Sequence, residues 1–433
     1  YEIGMRDWSS DVCSSDLIRG ARLIDPSKQL DQVSDMHVQG GRIKSIGHLA
    51  EQSSDLEIDA TGLILSPRFL DLHTCLRDLN QIQKGTIASE TQAAASAGFT
   101  HLCPSPDTQP CSDSGSVISL IKSKAAAAGF CELLPVAALT QDLKGSQLSN
   151  MEALAQAGCI GFSNAGYDID NNTVLLRCYE YAATFGLKVL VQAQDRQLGD
   201  GHMHAGATAT RMGLDGILVI AETLSISRHL QFMQHTGVSG HFNQLTSAAG
   251  VDLIRQAKAQ GMDVTADVGI AHLCFTDTAI EGYQSQYHVQ PPLREGSDRK
   301  ALLIGIEDGT LDAICSAHQP HESAAKCAPF AATATGMAMY DMLVPLIQKL
   351  VHTGDLTWPA AIRALSCNST KIAVGTSTSL TIGEAANLTL IDPSHEWTLD
   401  ASSQLSRGTN QALAQQKLKG RVQLTLKDGL VTY

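Results

Sequence analysis

The chain has 433 residues and carries 31 Lys and Arg against 44 Asp and Glu, a formal charge of −13. That balance argues against nucleic acid as a partner, since phosphate binding draws on clustered Lys and Arg. No uninterrupted apolar run approaches the roughly 18–20 residues that a membrane-crossing helix needs, so no membrane association is expected.

Residues 1–16 include the run RDWSSDVCSSD, with neither an apolar core nor the basic start of a signal peptide, and are set apart as a foreign or disordered leader. From Leu17 the segment 17–62 alternates apolar and polar residues around a Gly-Gly turn and reads as β-hairpins. The segment 63–375 then repeats one unit: a short run rich in branched residues followed by a stretch of helical period. The strand candidates are 63–73, 99–106, 133–140, 159–166, 187–195, 238–247, 262–273 and 311–321. Ala-rich or amphipathic stretches such as 88–98, 150–158, 248–261 and 298–309 lie between them, and Gly98, Gly158 and Gly261 read as helix ends. Eight such units predict an α/β chain closed as a (β/α)8 TIM barrel. The final segment, 376–433, is again strand-like at 387–399 and 421–433, with turns at Gly383 and Gly429. The two terminal segments together are expected to form a small β-sandwich. Eleven scattered cysteines with no C-x-x-C pair suit a reducing cytoplasm better than a disulfide framework. Charged residues make up only 17% of the chain, below the usual quarter, which points to surface buried in an assembly.

In such barrels the chemistry sits at the C-terminal ends of the strands. Several runs end there in polar residues: Asp71 and His73, Asn164, Gln192 and Gln194, Gln244, and His318 with His321. His73 and Cys75 are two apart in an extended segment, so both point to one side, as two ligands of one metal would. A second H-x-H, His202 and His204, lies in a Gly-rich loop. Arg77 and Asp71 have a plain structural reading as an ion pair, and His241, His272 and His318 one as hydrogen-bonded barrel histidines.

The runs LIRGARLIDP, DLHTCLRD, ASAGFTHLCPSPDTQP, GFSNAG, VQAQD, GHFNQLTS, QPPLR and ICSAHQPH, in that order, resemble the dihydroorotase family of the cyclic amidohydrolase superfamily. The resemblance implies an amidohydrolase-type barrel and a metal centre that activates hydroxide to open or close a cyclic amide. It also implies where the ligands should stand. The family pattern H-x-H-x-R is met by His73, Cys75 and Arg77, without the second histidine. The aspartate pattern of the fourth strand becomes Asn164 and Ala165, the histidine of the fifth becomes Gln192, and that of the sixth becomes Gln244. Ala317 stands where the family places the aspartate that binds metal and shuttles a proton, and a methyl group accepts no proton. Catalytic zinc normally has three protein ligands, and carboxamides replace imidazole poorly.

Arg77 matches the family arginine that holds the substrate carboxylate, His321 matches a substrate contact, and Asp107 replaces an asparagine where a carboxylate would repel an anion. What the resemblance implies is a catalytically inactive homologue with no cofactor, acting as a structural subunit with the catalytic chain of aspartate carbamoyltransferase, in a cytoplasmic hetero-oligomer of pyrimidine biosynthesis. The rival expectation is an active dihydroorotase, cyclising N-carbamoyl-L-aspartate reversibly with zinc on His73, Cys75 and His318. A third keeps Arg77 and His321 as an effector pocket for carbamoyl-aspartate or a nucleotide.

Overall fold

A computed structural model describes residues 15–433 apart from 51 and 53. Residues 1–14 of the expected leader therefore lie outside the described residues. Ser15 and Asp16 do not behave as leader, because they open the strand Ser15–Asp25, which pairs antiparallel with Leu30–Gln39.

The first and last described strands belong to one eight-stranded sheet. Its order runs Leu430–Val431, Lys417–Lys427, Leu388–Thr398, Ile64–Pro67, Ser15–Asp25, Leu30–Gln39, Arg42–Gly47, with Leu56–Asp59 also paired to Ser15–Asp25. The sheet curls back on itself as a sandwich does. Ile43 N–H donates to Glu384 C=O at 3.0 Å and Ala386 N–H to Gly41 C=O at 2.8 Å, enclosing a separate core that includes Leu23, Met36, Leu65, Leu390 and Leu424. Period-2 alternation explains the division of labour along the C-terminal strands. Leu388, Leu390, Leu424 and Leu426 face that small core, whereas Ile391 and Val422 pack on the barrel side.

The barrel strands are Phe69–Thr74, Phe99–Pro104, a third in two pieces (Glu132–Leu133 and Val136–Ala138), Gly161–Ser163, Val189–Gln192, Gly240–Asn243, Val264–Gly269 and Ala313–Cys315. Neighbouring strands pair parallel, and a bridge from Thr74 to His318 closes the ring. Pro135, which has no N–H to give the ladder, marks the break in the third strand. A helix follows each strand, beginning with Ile87–Ser96, where Thr86 and Ser89 form a reciprocal capping box. Gly98, Gly158 and Gly261 follow helix ends with φ of 91°, 95° and 77°. At Gly98 a side chain has no room either, since a Cβ would come within 2.5 Å of Thr389 Cγ2 where the terminal sheet meets the barrel.

Two expected strands need correction. The run 63–73 is two strands, because Ile64–Pro67 pairs with Leu388–Thr398 in the terminal sheet and only Phe69 onward enters the barrel. The run 262–273 is a strand to Gly269 and then the short helix Ile270–Cys274. The residues on either side of each change, Pro67 and Phe69 and then Gly269 and Ile270, are buried, so apolar periodicity carries little mark of it. No disulfide joins the described cysteines, and among the described residues no helix is long and apolar enough to cross a membrane.

Candidate functional site

The C-terminal ends of the barrel strands surround a cavity of about 240 Å³. His73, Cys75, Gln192, Gln244 and Ala317, from the first, fifth, sixth and eighth strands and the turns just beyond them, meet in its wall, as their register predicts. Asn164 does not. Its carboxamide accepts from the Thr140 hydroxyl at 2.7 Å and donates to the Leu143 and Tyr167 carbonyls, so the fourth strand presents Ala165 to the cavity instead.

The groups that do converge make contacts with one another and with their neighbours. Gln192 Nε2 donates to Gln244 Oε1 at 3.1 Å, joining two of the positions where the family carries histidine. His73 is half-buried at the wall, where desolvation holds its pKa below the ordinary value, and its Nδ1 faces Asn243 Nδ2 at 3.4 Å. Burial pushes the Cys75 thiol up to about 12. Ala165, Gln244 and Ala317 all hold left-handed backbone, with φ of 51°, 57° and 51°. For alanine that conformation costs about 1–2 kcal/mol with no polar side chain in return. Zinc does not fit this wall. Among the described residues no three His, Cys, Asp or Glu side chains come together as a metal requires.

His318, expected as a third ligand in the rival reading, faces away from the cavity. Its Nε2 lies 2.8 Å from Glu90 Oε2, its Nδ1 accepts from Met339 N–H at 2.9 Å, and its ring stacks on Tyr340 at 4.1 Å. It is one of the hydrogen-bonded barrel histidines, as are His241, held between Thr265 and Asp267, and His272, whose Nε2 donates to Pro291 C=O at 3.0 Å. In the loop H-x-H, His204 Nδ1 accepts from Arg294 while His202 packs edge-on against His288, so the two serve different partners.

The substrate-contact positions are also rearranged. The expected Asp71–Arg77 ion pair is absent. Asp71 accepts from Ser316 N–H at 2.9 Å, from the Ser316 hydroxyl and from Tyr340 Oη at 3.0 Å, while Arg77 Nη1 pairs with Asp107 Oδ2 at 3.3 Å. Asp107 thus neutralises a cation of its own chain. His321 lies outside the cavity wall and donates through Nε2 to Thr335 C=O at 2.9 Å. Burial, with Lys84 and Arg77 nearby, pushes its pKa down to about 3, so it is neutral. Neither Arg77 nor His321 lines the cavity. Tyr167, Thr335 and Met337, which the sequence did not single out, complete the cavity wall from loops without a local signature.

A family profile described as Dihydro-orotase-like matches residues 62–248. A Pseudomonas aeruginosa protein named Dihydroorotase-like protein is 43% identical over 426 residues, covering 96% of this chain and 99% of its own. The chain belongs to the dihydroorotase-like family. A second Dihydroorotase-like protein, from Pseudomonas putida, is 42% identical and covers 96% of this chain and 98% of its own. A protein named Dihydroorotase from Geobacter metallireducens is 36% identical, with 96% and 99% covered. Among solved structures, the L-hydantoinase from Arthrobacter aurescens superposes with a TM-score of 0.85 over 96% of both chains at 20% identity, a likeness of fold alone. The dihydroorotase-like barrel is therefore kept while its strand ends carry the amide and methyl side chains described above.

Proposed function

We propose that this dihydroorotase-like chain is a metal-free, non-catalytic subunit that supports the oligomer of aspartate carbamoyltransferase in the cytoplasm, within pyrimidine biosynthesis. The observation that carries the reading is the hydrogen bond between Gln192 and Gln244, flanked by Ala317, at three positions where the family resemblance places metal ligands. A wall that satisfies itself has no source for the large drop in the pKa of water that hydrolysis of an amide ring requires. A barrel relieved of chemistry keeps its core and its outer surface, and the low charge fraction accords with surface covered by a partner. Mixing the purified chain with a catalytic aspartate carbamoyltransferase chain from the same source is the direct test. Co-elution at a fixed ratio is expected, and separate elution at micromolar concentrations would remove the assembly role.

The relative named Dihydroorotase, at 36% identity, favours a second reading in which the chain turns over dihydroorotate at an atypical metal site. His73 and Cys75 would then hold the ion. Chelator-sensitive turnover would establish that reading, and its absence in zinc-supplemented protein would exclude it.

A further inference from the structure

The last long hairpin of the chain has an outsized loop. Leu388–Thr398 and Lys417–Lys427 pair antiparallel up to Thr398 opposite Lys417, yet residues 399–416 join them, far more than the roughly two to five residues of an ordinary hairpin loop. The segment has no helix or strand of its own. It leaves the terminal sheet and crosses to the rim of the barrel, where 406–410 alternates as extended chain does. Ser406, Gly408 and Asn410 face inward, and Arg407 and Thr409 are exposed.

Two buried carboxylates anchor this strap. Glu90 accepts from the Ser406 hydroxyl at 2.6 Å and from Arg407 N–H at 3.1 Å, and Asp341 accepts from Leu405 N–H at 3.2 Å and from Gln411 Nε2 at 3.4 Å. Between the anchors, Asn410 is engaged wholly with the chain that follows the eighth barrel strand. Its Oδ1 accepts from His321 N–H at 2.8 Å, its Nδ2 donates to the Gln319 and Gly336 carbonyls at 3.0 and 3.1 Å, and its own carbonyl accepts from Ala338 N–H at 3.4 Å. One buried carboxamide thus joins both legs of the loop 319–338. The two backbones also touch, since a Cβ at Gly408 would come within 2.5 Å of Pro320 Cβ. Gln319, Thr335, Gly336, Met337 and Met339 line the cavity, and none of 399–416 does. The strap therefore holds the eighth-strand side of the wall from behind.

We infer that 399–416 is a clasp governing access to the cavity: docked on Glu90 and Asp341, it keeps the loop 319–338 in place through Asn410, and undocked, it frees that loop and opens the cavity beside the eighth strand. Polar anchors suit such a part, because directional hydrogen bonds are lost together once the strap shifts. Leu405 and Leu413 are only half-buried against the core, so strap and loop open as one unit more readily than the barrel strands do. Because 399–416 is continuous with two strands of the terminal sheet, the clasp links that sheet to the cavity. It acts on access and does not depend on what the cavity binds or on a transferase partner.

Hydrogen exchange read by mass spectrometry, together with modification of Cys75 by iodoacetamide, tests this in the full chain. Ser406→Ala removes one anchor and touches neither 319–338 nor the cavity. It is expected to speed exchange at 319–338 and modification of Cys75 by about tenfold or more, the effect of losing one hydrogen bond to a charged group. Val189–Gln192, Gly240–Asn243 and the buried thiol of Cys178 should keep the parent's rates. Asn410→Ala should produce the same opening, and Ser406→Ala added to it should speed 319–338 no further. A thermal melt checks that each variant is folded, and Gln411→Ala, which releases Asp341, replaces Ser406→Ala if that one is not. Unchanged exchange at 319–338, equal acceleration throughout the chain, a freed loop with no change at Cys75, or a Ser406→Ala effect that survives Asn410→Ala would each overturn the inference.

Discussion

Two polar clusters share the same strand ends and differ in how their members are held. Where the first and eighth strands close the barrel, Asp71 accepts from Ser316 and Tyr340, and Tyr340 Oη also reaches Thr74 Oγ1 at 2.9 Å. Beside it Glu90 takes His318, the Ser406 hydroxyl at 2.6 Å and Arg407 N–H at 3.1 Å, which ties the first helix to the C-terminal segment. Every removal there orphans a buried partner. In the cavity, Gln192 and Gln244 chiefly satisfy each other. The first cluster holds the ring together whatever the chemistry, so its members are not free to change. The second belonged to function in the family pattern, and its side chains can be exchanged without opening the fold.

The contrast is broken most severely by Glu90→Ala. Leaving His318 and the Ser406 hydroxyl buried without a partner should cost about 3–5 kcal/mol in urea unfolding. A loss below about 1 kcal/mol would mean the closure cluster is no more essential than the cavity. The same carboxyl has a pH signature. Burial alone would raise its pKa, but His318 and the serine donors bring it below the ordinary value. A depressed folded-state pKa gives stability that is present above the unfolded value near pH 4.3 and lost as pH falls through the folded value. Glu90→Gln should therefore flatten the acid limb of the stability profile, and an unchanged limb would count against the Glu90–His318 pairing.

Lys326 supplies a second titration. Its Nζ donates to the His288 and Ala334 carbonyls at 3.2 and 2.7 Å, and burial pushes its pKa down to about 7 from an ordinary 10.5. Its contribution is complete above pH 10.5 and is lost as pH falls through about 7. The parent's gain in stability between those values, compared with Lys326→Met, should shrink in the variant, and equal slopes would show that the amine titrates normally.

Smaller effects sharpen the cavity side. Gln192→Leu alone leaves Gln244 Oε1 unpaired and should cost about 1–2 kcal/mol, whereas Gln192→Leu with Gln244→Leu should be nearly neutral. Additive losses in that cycle would show that the two amides are not coupled. Ala317→Gly, which relieves left-handed backbone at φ 51°, should stabilise by about 0.5–1 kcal/mol, and a loss would mean the methyl packs usefully.

The barrel and the ligand positions were legible because both follow from local pattern. Apolar periodicity marks each βα unit, and a strand's register places its last residues at the rim, so Cys75, Gln192, Gln244 and Ala317 could be brought to one wall. Asn164, His318 and His321 could not be placed, because their directions are set by Thr140, Glu90 and Thr335, which stand 24, 228 and 14 residues away. The Arg77–Asp107 pair has the same origin, since it joins loops 30 residues apart. The change of sheet between Pro67 and Phe69 escaped for a different reason: the runs 64–67 and 69–72 are buried on both faces and show no alternation, and the half-buried Arg68 between them is a single interruption.

The most direct measurement is the metal content of the purified chain after incubation with excess zinc and removal of loosely held ion. A wall of paired carboxamides in which, among the described residues, no three ligating side chains come together predicts less than about a tenth of an equivalent, against the near-full occupancy of genuine zinc sites. About one equivalent or more, retained through gel filtration, would contradict the metal-free reading and restore hydrolysis as the activity to explain.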